Sequence, residues 1–248
     1  MSGVRFAYET IELDAPRFAL VALQSDETIE GDMRRLLPPD VELMVSRVRS
    51  DPEVSSETLA EMENHLTQAA ALFPHGVVFD AVGYGCTSGT AQIGVDKIAA
   101  KVRASVEAQA VTQPLSSLIA ACRHLGLSRL ALLSPYVASV SSRLQVALSE
   151  AGVDTPVFGS FEAATEATVV RIAPASITAA ATALMQEAGT GAQALFISCT
   201  NLRTLDLISP LETALGKPVL TSNQVLAWHM MMTAGVTPPN GAPGRLFR

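Results

Sequence analysis

Cys86 and Cys199 are the residues in this chain whose types and spacing could do chemistry together. Each follows an apolar run and precedes a threonine: Val77-Val78-Phe79 leads through Gly83-Tyr84-Gly85 to Cys86-Thr87-Ser88, and Ala194-Leu195-Phe196-Ile197 leads to Ser198-Cys199-Thr200-Asn201. The two cysteines are separated by close to half the chain, so a duplicated unit is a natural reading. A thiol at the carboxyl end of a parallel strand meets free loop N–H groups and a helix start, a setting expected to lower its pKa toward neutrality and make it a nucleophile or base. The bland alternative is that both are small buried core residues. Two matched contexts favour function over packing. Cys122, inside the helical run Leu118-Ile119-Ala120-Ala121, has no such context and reads as core.

Competing chemistries lack their residues. Gly83-x-Gly85 followed by Gly89 is one residue too long for a dinucleotide fingerprint, and no G-x-S-x-G elbow is present. His65, His75, His124 and His229 stand singly, so no metal site is expected. Trp228 with Met230-Met231-Met232 reads as filling for a buried helix. Tyr136, after Pro135 at another strand end, could point its hydroxyl into the same cleft, and Asp26 and Glu27 could do so or simply cap a helix. Thr87, Ser88, Thr112, Gln113, Thr200, Asn201, Ser222 and Asn223, all at strand ends, are polar groups suited to holding a small carboxylate.

The elements that must position these groups follow from the apolar pattern. Phe18–Leu23, Val41–Val48, the run before Cys86, 109–112, Arg129–Ser134, Val157–Phe161, Ala194–Ile197 and Pro218–Thr221 read as strands, and helices are expected between them. One of these is a single helix over 91–108, and 162–170 reads as a loop with a helical turn. Alternation of this kind, with right-handed crossovers, makes parallel sheets layered between helices. The expected fold is therefore α/β, with two Rossmann-like subdomains: 1–112 plus 222–248 carrying Cys86, and 113–221 carrying Cys199. The site would lie in the cleft between them, beyond the strand ends.

Composition agrees. The chain has 248 residues, of which 48% are hydrophobic and 17% charged, a balance suited to sheets covered on both faces. A net charge of −7 and a sequence pI near 5.1 argue against nucleic acid or an anionic membrane as partner. No stretch reads as a signal peptide or a membrane span, so the cytoplasm is the expected location. Three cysteines without C-x-x-C spacing indicate neither a disulfide framework nor a zinc knuckle.

The pair Cys86-Thr87 and Cys199-Thr200 resembles the aspartate/glutamate/hydantoin racemase superfamily, within it the branch of maleate cis-trans isomerases, arylmalonate decarboxylases and racemase-like proteins encoded with ectoine-utilisation genes. Supporting pieces are the Gln24–Glu30 loop, Ser134-Pro135-Tyr136, Leu205-Asp206, Lys217-Pro218-Val219 and Gly244-Arg245-Leu246-Phe247. The resemblance implies two subdomains related by a pseudo-dyad, no cofactor, and a homo-oligomer, dimer or tetramer. In racemases of this kind one thiolate removes the α-proton and the opposite thiol returns one. In maleate isomerases the first cysteine adds to the double bond; in arylmalonate decarboxylases only the second cysteine is kept, as proton donor. Retention of both thiols speaks for an isomerase or racemase acting on a small carboxylate, with Cys86, Cys199 and Tyr136 catalytic. A decarboxylase using Cys199, or a non-catalytic small-molecule-binding protein, is the alternative.

Two positions depart from the maleate isomerases, which place asparagines where this chain has Asp26 and Glu166. A carboxylate there repels a dianion, by about 4 kcal/mol at ~4 Å and an effective dielectric near 20. It suits a substrate with an ammonium or amidinium group, such as an amino acid or an ectoine-like derivative.

Overall fold

The first strand, β1 (Arg17–Leu23), is buried along nearly its whole length, as a strand covered by helices on both faces must be. The computed structural model describes residues 3–248. After β1 come α1 (Ile29–Leu36), β2 (Glu42–Val48), α2 (Ser56–Ala70), β3 (Val78–Gly85), α3 (Thr87–Ile93), α4 (Val95–Arg103) and β4 (Glu107–Thr112). The second half runs α5 (Pro114–Leu125), β5 (Arg129–Ser134), α6 (Ala138–Glu150), β6 (Asp154–Ser160), α7 (Glu166–Val169), α8 (Pro174–Ala188), β7 (Ala194–Ile197), α9 (Ile208–Leu215), β8 (Val219–Thr221) and α10 (Ser222–Thr233).

All strand pairs within each sheet are parallel, in the orders β2-β1-β3-β4 and β6-β5-β7-β8. The orders are the same pattern written twice, which gives the two-subdomain α/β fold its pseudo-two-fold relation. In each half the third strand carries a cysteine just past its end, and the strand beside it carries Asp26 or Tyr136. Between those two strands the order reverses, the switch point where open sheets bind ligands.

Local chemistry explains the boundaries. Ser55 and Thr58 form a capping box that starts α2: Thr58 N–H donates to Ser55 Oγ at 3.2 Å and Ser55 N–H to Thr58 Oγ1 at 2.9 Å. Pro114 opens α5 at its first turn, and Gly126 closes it in the left-handed conformation. Pro156 lies in β6, which tolerates it because β6 is a sheet edge and the register against β5 shifts there.

One stretch departs from its expectation. In place of a single helix over 91–108, the helix starts directly after Cys86, breaks at Gly94 (φ 98°), and ends at Arg103, leaving 107–112 for β4. Alanine-rich sequence hid a break that only a positive-φ glycine makes. Thr87–Thr90, directly after Cys86, form the first turn of α3. Among the described residues no helix is long and apolar enough to cross a membrane.

Candidate active site

Cys86 is the N-cap of α3, and its Sγ accepts the Gly89 N–H at 3.2 Å while its carbonyl accepts from Thr90. Gly89 is required by that geometry, because a Cβ there would stand 2.8 Å from Cys86 Sγ and 2.9 Å from the Tyr84 hydroxyl oxygen. Cys199, in the loop after β7, has φ 104°, a strained conformation for a non-glycine residue that costs about 1–3 kcal/mol. Its Sγ accepts the Asn201 N–H at 3.3 Å.

The two cysteine loops are tied to each other. Ser222 Oγ, at the start of α10, accepts from Thr87 Oγ1 at 2.7 Å and from the Cys199 N–H at 3.0 Å. Thr200 Oγ1 donates across to the Gly85 carbonyl at 3.2 Å. The strained Cys199 backbone is thus held by a hydroxyl that also holds the residue after Cys86.

A second set of bonds brings the acids in. Tyr136 Oη donates to Glu166 Oε1 at 2.6 Å and lies 3.1 Å from Cys199 Sγ, while Asn201 Nδ2 donates to Glu166 Oε2 at 2.8 Å. Asn201 Oδ1 accepts the Glu27 N–H at 2.9 Å, fastening the β1–α1 loop to the Cys199 loop. Asp26 Oδ1 caps α1 by accepting the N–H groups of Thr28 and Ile29 at 2.7 and 2.8 Å. Its other oxygen, Oδ2, is buried with no hydrogen-bond partner among the described residues, and the nearby Thr200 side chain favours the charged carboxylate against burial.

Cys86, Cys199, Tyr136, Asp26, Glu166, Thr87, Thr200 and Asn201 are all buried around this junction. Ser88 is buried in the first turn of α3, outside the bonded net. Several roles change from their expectation. Both ends of Asn201 and the hydroxyl of Thr200 are committed to the protein, so they shape the pocket rather than offer free hand-holds for a carboxylate. Glu166 likewise has both oxygens engaged, which leaves Asp26 Oδ2 as the unengaged carboxylate oxygen.

The expected lowering of the thiol pKa values is overturned. Burial pushes Cys86 up to about 12, against the opposing Gly89 N–H, and the nearby Glu166 and Asp26 carboxylates push the same way. Burial likewise holds Cys199 well above the usual thiol range, with Glu166 adding to it and Tyr136 and the Asn201 N–H working against it. The loop N–H groups are where they were expected, but desolvation outweighs them. Burial also raises Asp26 and Glu166 above ordinary carboxylates. The resting site therefore holds two protonated thiols, and a thiolate must be made when it is needed.

One contributor was absent from the candidate set. Tyr84 sits two residues before Cys86, hence on the same face of β3, and approaches that thiol; period-two alternation carried this signal. Ser222, a strand-end candidate for holding a carboxylate, instead bonds to residues more than twenty and more than a hundred positions away, a role no local pattern foretells.

No curated protein matches the chain. Among solved structures, a mutant of arylmalonate decarboxylase in its liganded form is similar at TM-score 0.80 and 24% identity, covering 94% of this chain and 98% of that one. The maleate isomerase Iso of Pseudomonas putida S16, solved with maleate, is similar at TM-score 0.79 and 18% identity, covering 94% and 97%. A Nocardia farcinica maleate cis-trans isomerase mutant with a covalently bound succinylcysteine intermediate is similar at TM-score 0.76 and 24% identity, covering 94% and 98%. At these identities the likeness establishes a shared fold. The family described as arylmalonate decarboxylase matches residues 96–247, a span that holds Tyr136, Glu166 and Cys199 and leaves Cys86 outside it. On that match over more than half its length, the chain belongs to the arylmalonate decarboxylase family.

Proposed function

We propose that the protein is a cofactor-independent isomerase or racemase that works at the α-carbon of a small carboxylate with Cys86 and Cys199 as its two thiols. The observation that carries this reading is their equivalence: each follows the third strand of the same four-strand pattern, and each accepts an N–H from its own loop. Two acid–base groups approaching from two halves can remove a proton from one face of a carbon and return one to the other. The same thiols could instead add to and leave a double bond, as the succinylcysteine in the Nocardia farcinica enzyme illustrates for that protein.

Asp26 supports a substrate with a cationic end. Its unpartnered Oδ2 is buried, and an ammonium or amidinium group would supply the missing partner. A dianion such as maleate would instead meet Asp26 beside Glu166. An amino acid or an ectoine-like derivative fits this charge pattern.

Proton NMR in D2O tests the reading with a panel of maleate, aspartate, glutamate, phenylmalonate, ectoine, hydroxyectoine and their ring-opened derivatives. Loss of an α-proton signal, or growth of a trans-alkene signal, that disappears in both Cys86→Ala and Cys199→Ala is the expected result. Removal of either acid–base thiol should cost on the order of 10²–10⁴-fold. A second reading, decarboxylation with Cys199 as proton donor, draws on the family match that includes Cys199 and not Cys86. Loss of carbon dioxide from phenylmalonate that survives Cys86→Ala would establish it in place of the first.

A further inference from the structure

We propose that Glu166 is the proton acceptor for Cys199, acting through the Tyr136 hydroxyl. The inference rests on the two-thiol reading and supplies what that reading lacks, a source of thiolate in a site whose thiols are protonated at rest.

The geometry sets the direction of the chain. Tyr136 has one hydroxyl hydrogen, and it points to Glu166 Oε1 at 2.6 Å. At 3.1 Å from Cys199 Sγ the phenol oxygen can then only accept, so the Cys199 S–H donates to it. Transfer breaks the Cys199 S–H bond and forms a new O–H bond on Tyr136, whose own proton passes to Glu166 Oε1. One proton moves from sulfur to carboxylate, charge is conserved, and no other reactant is needed. The reverse transfer returns that same proton from Glu166 Oε1 through Tyr136 to the Cys199 thiolate.

Glu166 is held for this role. Asn201 Nδ2 fixes its second oxygen at 2.8 Å, and the Glu166 N–H donates to the Pro52 carbonyl at 3.2 Å. The titratable groups around it are Asp26 from the β1–α1 loop, Cys86 past β3, Tyr136 past β5, Cys199 past β7, and Asp51 and Glu53, which line the small cavity it borders. Burial raises the carboxylate most and Asp26 adds to it, against the hydrogen bonds from Tyr136 and Asn201, so Glu166 is a better proton acceptor than an ordinary carboxylate. Glu166 is a positioning residue for the proton and does not meet the substrate.

A coupled pair that shares one proton has a pH profile that an isolated thiol lacks. Between the two apparent pKa values of the pair, the fraction with the proton on Glu166 and the charge on sulfur does not change with pH. Alkylation by iodoacetamide, resolved for each cysteine by peptide mass spectrometry, reads this directly. In the wild-type protein Cys199 should alkylate at a rate flat within about twofold over about two pH units around neutrality, while Cys86 should climb about tenfold per unit as an ordinary buried thiol does. In Glu166→Gln, Cys199 should lose its plateau and climb like Cys86. Tyr136→Phe, which leaves the carboxylate and cuts the chain in the middle, should do the same and serves if the glutamine variant fails to fold. A wild-type Cys199 profile that climbs like that of Cys86, or a plateau that persists in either variant, overturns the proposal; if neither variant folds, the wild-type contrast between the two cysteines decides it. The outcomes separate this inference from the activity: thiol-dependent turnover without a plateau removes the relay alone, and a plateau without turnover of any compound removes the isomerase reading alone.

Discussion

Asp26 shows how one side chain can serve structure and specificity at once. One oxygen caps α1 and the other stands buried without a partner. Asp26→Asn keeps an oxygen for the cap and removes the charge. Steady-state kinetics should then show kcat/KM for an ammonium-bearing substrate down by about 10–100-fold, the worth of a charge-assisted bond of about 1.5–3 kcal/mol. A dianionic carboxylate should bind better in the same variant. Equal effects on both substrates would mean that Asp26 acts only as a cap. The acid–base groups at this scale were legible as residue types at strand ends. Their protonation states were not, because burial decides them and a sequence does not display it.

At the scale of elements, the two cysteine loops depend on the amino end of α10. Ser222 accepts from Thr87 and from the Cys199 N–H, and it holds Cys199 in a backbone conformation that costs energy. Ser222→Ala leaves a buried N–H without a partner, at a cost of about 1–3 kcal/mol. The melting temperature should fall, and kcat should fall at least tenfold with little change in KM, because the thiol is displaced while the rest of the pocket remains. A variant with wild-type kcat would show that α10 does not position Cys199.

Asn223, the next residue of α10, reaches Asp32 on α1 through Nδ2 at 2.8 Å and bonds the Thr200 carbonyl at the same distance. Burial raises Asp32 to about 6, with the Asn223 bond and Arg35 opposing. A carboxylate raised in the folded state contributes stability that is complete below its unfolded value near 4 and is lost as pH rises through about 6. Up to about 3 kcal/mol is at stake. Urea denaturation should therefore find Asp32→Asn gaining on the wild type between pH 5 and pH 8. The same gap at both pH values would refute the linkage.

Over the whole molecule, the halves meet at a second place besides the cysteine loops. Glu53 and Thr165 form an antiparallel bridge, with Val54 N–H donating to the Ala164 carbonyl at 2.9 Å and Glu166 N–H to that of Pro52 at 3.2 Å. Against this bridge lies a cavity of about 10 Å³ bordered by Leu59, Met62 and Glu166, about the space of one water molecule. A larger depression of about 520 Å³ on the surface shares Met62 and Asp51 with it. With Cys86 and Cys199 only 6% and 4% exposed, access to them requires an opening, and the bridge beside this cavity is where we expect it. Val54→Pro removes the 2.9 Å bond, so both thiols should alkylate faster and KM should change with the fold retained by circular dichroism. Unchanged alkylation would place the opening elsewhere.

The strands, their parallel arrangement and the matched cysteines were determined by the sequence itself, since each rests on local signals: Phe18–Leu23 and Ala194–Ile197 are continuous apolar runs, and Cys86 and Cys199 close two copies of one pattern. The helix break at Gly94 and the start of α3 at Cys86 escaped the sequence because alanine-rich stretches carry no boundary of their own. Only the tertiary structure decided that Glu166 meets Tyr136 and Asn201, that Ser222 joins the cysteine loops, and that both thiols are protonated at rest. The reason is physical: periodicity and capping act over a few residues, whereas hydrogen bonding between distant loops and the desolvation of buried acids arise only once the two halves close on each other.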